Sequence, residues 1–120
     1  MANPNIISVS SIYGKVSGQA VTTSETAIVT NLSQSGKIFK INSLVISNVD
    51  GTNAADITAT LVFSGATRHI AKTISVPADA TLVLISRDTQ IYLEENNSIR
   101  LTASAASALE AICSWEEISA

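Results

Sequence analysis

An all-β fold, an antiparallel β-sandwich of eight or nine short strands and jelly-roll-like or immunoglobulin-like, is what this sequence predicts. Three observations carry that reading. Apolar and polar residues alternate through most of the chain, the period of a strand with one buried face. Turn-forming clusters of Gly, Pro, Asn, Asp and Ser recur between the apolar runs at about 8–12 residue spacing. The 120 residues are 46% hydrophobic and only 14% charged, a composition suited to hydroxyl-faced strands rather than to a Glu- and Lys-rich helical bundle.

The elements follow in order. Residues 1–18, MANPNIISVSSIYGKVSG, mix Ile6, Ile7, Val9, Ile12, Tyr13 and Val16 with one proline and two glycines. They read as an edge strand or as an extended arm lying on a neighbour, with a strand candidate over Ile6–Val16. Residues 19–120 read as a single sandwich domain. Strands are expected over Thr26–Leu32 and Lys37–Asn48. In DITATLVF, Ile57, Ala59, Leu61 and Phe63 share a face. HIAKTISV sets Ile70, Ile74 and Val76 together, with Lys72 as the exception. Short strands follow at Thr81–Ser86 and Ile91–Leu93. SIRLTA points Ile99, Leu101 and Ala103 one way, and the last strand buries Leu109, Ala111, Cys113 and Trp115. Pro77 sits beyond a strand end, where its missing N–H breaks no ladder bond.

Two runs are apolar on both sides. SLVIS carries Leu44, Val45 and Ile46 in succession, and TLVLIS carries Leu82, Val83, Leu84 and Ile85. A two-layer sandwich buries one face of each sheet, so neighbours in such a run cannot all reach one core. Leaving one of these side chains in water forfeits roughly 1.5–3 kcal/mol of burial, and several together form an interaction patch. The expected interface residues are therefore Ile6, Ile7, Val9, Ile12, Tyr13, Leu44, Val45, Ile46, Val83 and Ile85. Cover by the N-terminal segment or by a loop, or a β-bulge within a strand, would account for part of the excess.

Sites of chemistry are sparse. The net charge is -3 and the basic residues are scattered, so no nucleic-acid partner is expected. The single Cys113 excludes an internal disulfide or a multi-cysteine metal site, and its apolar neighbours make it a buried, inert thiol. No leader pattern or apolar run of membrane-spanning length is seen, so neither export nor a membrane is expected. Asp50, Asn53 and Asp56 in NVDGTNAAD miss the spacing of a calcium loop and read as a connection. His69, the lone histidine, has no nucleophile signature around it and points outward. The adjacent pairs Glu94–Glu95 and Glu116–Glu117 point to opposite faces, so neither makes a carboxylate dyad. NLS and NNS fit the glycosylation pattern by chance in a Ser-rich chain. No catalytic residue, metal or cofactor is expected. A glycan-binding module is the competing binding role, weakened by the few aromatics.

The runs KIFKINSLVISNVDGTNAADITATLVFSG, HIAKTISVPADATLVLISRDTQIYLEENNSIRLTASA and LEAICSWEEIS resemble small structural proteins of tailed bacteriophages, in particular virion proteins of marine and cyanobacterial phages. The resemblance covers most of Lys37–Ser119 and is one of texture, with no catalytic motif. It implies a capsid decoration, or cement, protein: a compact sandwich, homotrimeric, bound to the phage major capsid protein on the outside of a virion assembled in the host cytoplasm. A neck, collar or tail component built on a similar sandwich is the alternative that it also implies.

Overall fold

A computed structural model describes residues 3–120. Among them nine strands form two antiparallel sheets. They are β1 (Ser11–Val21), β2 (Thr26–Thr30), β3 (Lys37–Asn48), β4 (Ala55–Phe63), β5 (Ala66–Val76), β6 (Thr81–Ile85), β7 (Ile91–Leu93), β8 (Ser98–Ala103) and β9 (Leu109–Ser119). Sheet A runs β1-β9-β3-β6, with β7 continuing the line of β6 along β3; sheet B runs β2-β8-β4-β5. Consecutive strands thus alternate between the layers early and late in the chain, which is the double Greek key of a jelly roll.

Alternation fixes which side chains enter the core. Phe39, Ile41, Leu44 and Ile46 of β3 face Ile57, Ile99 and Leu101 from sheet B, with Leu109, Ala111, Cys113 and Trp115 from β9 beside them. The odd spacing between Ile41 and Leu44 comes from a register shift against β9 between Ile41 and Ser43. One inserted residue flips the parity, so both halves of a 12-residue strand keep an apolar inner face. Phe39 stacks on Trp115 with ring centroids 6.1 Å apart.

Two buried asparagines close the loops at opposite ends of β3. Asn31 Nδ2 donates to the carbonyls of Lys37 and Leu93, both at 3.0 Å, and its Oδ1 accepts from Ser35 Oγ at 2.6 Å. Asn48 Nδ2 donates to the carbonyls of Asn53 (3.0 Å) and Val76 (2.9 Å), and its Oδ1 accepts from the Asp50 N–H at 2.8 Å. Amides do this work because each needs two donors and an acceptor on one planar group.

Two expectations need correction. The strand expected over Ile6–Val16 is instead β1, Ser11–Val21, paired with β9 from Ser11↔Ser119 to Val21↔Leu109. Residues before it turn at Asn5–Ser8, where Ser8 N–H meets the Asn5 carbonyl at 3.0 Å. They are anchored by Asn3 Nδ2 to Glu94 Oε1 and by Ser10 N–H to the Ser119 carbonyl. The face assigned to β5 also breaks. Ile74 pairs with Ile57 on the side of Val76, yet on this edge strand Val76 is fully buried and Ile74 is 43% exposed. Just before it Thr73 adopts a positive φ of 47°, the pairing with β4 slips, and Ala71 enters the core.

Candidate interaction surface

The register places a set of side chains on the outer face of sheet A, away from sheet B. Reading across β6–β3–β9–β1, one row is Val83–Val45–Ile112–Gly18. A second row, two steps along, is Ser43–Ser114–Val16. The next is Tyr92–Lys40–Glu116–Gly14, with Tyr92 supplied by β7. Val83 is 56% exposed, Ile112 51%, Val16 69% and Tyr92 45%. This apolar band is what the doubled runs in the sequence become once one parity is taken by the core.

At the β1 edge the face is hollow. A depression of about 310 Å³ opens between Gly18 and Ala20 on β1, Glu110 and Ile112 on β9, and Ser47 on β3. Its cause is the missing side chain at Gly18, where a Cβ would have only ordinary contacts, 3.6 Å to the Ala111 carbonyl oxygen and 3.8 Å to Ile112 Cγ1. Over Gly14 the space is open, with nothing within 4 Å of a built Cβ.

The far end of the same face is covered. Ile38 and Ile118 point outward by register, yet both are buried and stand outside the core cluster. The chain anchored beside them is the N-terminal segment, through Ser10 and Asn3. Self-cover, anticipated as a competing explanation, fits this end of the face, while at the other end Val83, Ile112 and Val16 stay exposed among the described residues.

The expected interface residues divide accordingly. Ile6 (51% exposed), Ile7 (92%), Ile12 (55%), Tyr13 (62%) and Val83 (56%) are open to solvent, and Val9 and Val45 are half-buried. Leu44, Ile46 and Ile85 are core residues with at most 1% exposure, so they leave the candidate surface. Their parity in the strand was the part that the runs SLVIS and TLVLIS left open. Ile112 and Val16 join the surface instead, and the alternation of Ile112 with Ala111 and Cys113 was the signal that would have found the former. Gly14 and Gly18 carry no signal in sequence, since a glycine's hollow exists only beside neighbours.

The Asp50 carboxylate is taken up by its own loop. Asp50 Oδ1 accepts from the Thr52 N–H at 2.8 Å and the Asn53 N–H at 3.1 Å. These backbone donors hold its carboxyl below the ordinary carboxylate value, and the loop reads as an Asx-closed connection. Among the described residues no group of three or more His, Cys, Asp or Glu is placed to hold a metal ion. Cys113 is fully buried, and desolvation pushes its thiol up to about 12. His69 lies exposed on β5, opposite Thr60 and across β4 from Arg100. Trp115 is inside the sandwich, while Tyr13 and Tyr92 fall on opposite sides of sheet A. Neither arrangement gives the exposed aromatic platform of a sugar site.

No family model matches the sequence, and no curated protein matches it. Solved structures do align with it. A protein of the Bacillus endospore appendages, described as disulfide-linked pili, aligns over 91% of this chain and 87% of its own, at 14% identity and a TM-score of 0.54. A pentameric capsid protein from metagenomic phage sequences aligns over 86% of this chain and 62% of its own, at 13% identity and a TM-score of 0.43. The VP2 subviral particle of infectious bursal disease virus aligns over 93% of this chain and 33% of its own, at 11% identity and a TM-score of 0.49. At 14% identity the likeness to the appendage protein is one of fold alone.

Proposed function

We propose that this chain is a non-enzymatic structural protein of a bacteriophage virion, a decoration or cement subunit. In this reading it self-associates and binds the outer capsid surface through the major capsid protein. One observation carries the assembly half of it: the bare part of the outer face of sheet A, where Val83, Val45 and Ile112 form a band that the described residues do not cover. The virion half rests on the resemblance of Lys37–Ser119 to phage structural proteins.

Assembly on this plan is non-covalent. The lone cysteine is buried and its thiol is held protonated, so subunits are joined by apolar burial and strand-edge contacts. Each contact is weak, and many copies on one shell act together through effective concentration. Ile6 and Ile7, exposed at the turn before β1, are the residues assigned to the shell. The resemblance implies three copies per assembly.

The test is the copy number in purified virions by quantitative mass spectrometry, together with binding of the purified protein to undecorated shells. Copies on the order of the capsomers, with saturable binding, are expected. A count matching one ring would assign the chain to the neck, collar or tail. Absence from virions and no affinity for shells would overturn the reading.

A further inference from the structure

We propose that two copies of this chain pack face to face through the bare outer face of sheet A, about a two-fold axis along the seam between β9 and β3. The proposal rests on the self-association in the functional reading and puts a pair in place of the three copies that the resemblance implies. Rotation about that axis exchanges β9 with β3 and exchanges β1 with the line of β6 and β7. Each row of the face is thereby laid on itself in reverse.

The rows are complementary under that operation. In the first, Val45 meets the partner's Ile112, and Val83 comes over the partner's Gly18, where the hollow of about 310 Å³ lies open. In the second, Ser43 meets the partner's Ser114. In the third, Lys40 meets the partner's Glu116, an opposite charge, and Tyr92 comes over the partner's Gly14. Projecting side chains thus stand on one edge of the sheet and bare glycines on the other, in the same two rows. An isologous contact needs a patch that fits itself, which this asymmetry provides.

The area is sufficient for a concentration-dependent pair. Four strands at about 4.8 Å spacing, over some eight residues at about 3.4 Å each, give roughly 500 Å² per copy. The pair then buries roughly 1,000 Å² in all, the lower end of specific interfaces. Two sheets packing in this way keep their strands within about 30° of each other, so the central rows stay aligned. The N-terminal segments border the contact at one end.

The test is sedimentation equilibrium of the full chain and of a variant carrying Gly14→Val and Gly18→Val. Neither glycine has a positive φ, and both have room for a Cβ, so the variant keeps its fold and melts no lower than wild type. Wild type is expected to be dimeric, and filling the two hollows is expected to weaken the pair by at least about tenfold. Val83→Asp, at an exposed position, is expected to do the same and stands in if the glycine variant misfolds. Unchanged pairing in these variants overturns the geometry while leaving self-association intact. A three-copy wild type does likewise. A monomer at every concentration overturns the pair, and shell binding then decides the functional reading separately.

Discussion

Asn31 shows how a small β-protein spends a buried polar side chain. Its amide donates to two carbonyls from different segments, Lys37 and Leu93, and so ties the turn before β3 to the end of β7. Asn31→Leu keeps the volume but removes both donors, and a loss of about 3 kcal/mol is expected. A denaturant midpoint that corresponds to less than about 1 kcal/mol would show that the loop does not depend on the amide. Acid sensitivity has its origin at carboxylates of the same kind. Asp50 is depressed by the N–H groups of Thr52 and Asn53, and Glu95 by the N–H of Gly36. A carboxylate with a folded pKa below its unfolded value adds stability above the unfolded pKa, and that stability is lost as pH falls through the folded one. Wild type should therefore lose stability below about pH 4. Asp50→Asn should lose less across the same window, measured by thermal melts in acid; a parallel loss in both proteins would remove Asp50 as a cause.

Strands carry their own history of compromise. In β5 a threonine at φ 47° interrupts the alternation, a conformation that a β-branched residue adopts only under constraint. The Thr73 N–H is held by Thr58 Oγ1 at 3.1 Å, so the kink is fixed by a contact to β4. Thr73→Asn relieves the backbone strain, since Asn tolerates the left-handed region, and keeps that N–H. A gain of about 1 kcal/mol in unfolding free energy is expected; a loss would mean that the threonine side chain itself holds the bulge. In β3 the slip between Ile41 and Ser43 serves the opposite end: it returns Leu44 and Ile46 to the core and leaves Val45 outside. That slip places two residues expected at an interface, Leu44 and Ile46, among the most deeply buried in the chain. A second slip against β6, between Leu44 and Val45, does the same for Ile85.

The assembled molecule presents two different apolar regions. One is the bare band on sheet A, to which pairing is assigned. The other is the turn before β1, where Ile7 is 92% exposed beside Ile6. These regions separate self-association from shell binding. Ile7→Asp should leave the melting temperature within about 2 °C of wild type, as expected of an exposed position, and should leave pairing unchanged while shell binding falls. Equal shell binding by Ile7→Asp and wild type would remove the N-terminal turn from the contact.

The alternation of apolar and polar residues, with turn clusters between, determined the fold class, the bounds of Lys37–Asn48, Ile91–Leu93 and Ser98–Ala103, and the burial of Cys113 and Trp115. It also determined that the chain carries more apolar strand surface than one core takes up. Local physics suffices for these, because side chains in a strand point up and down with a period of two whatever the neighbours are. What only the tertiary structure decided was parity and partnership: that Val45 rather than Ile46 faces out, that Ile38 and Ile118 are covered, and that Gly14 and Gly18 lie in the rows of Tyr92 and Val83. A slip of one residue reverses every side chain in a strand. Its direction is set by pairings between residues as far apart in the chain as Ser11↔Ser119, and no local pattern encodes them.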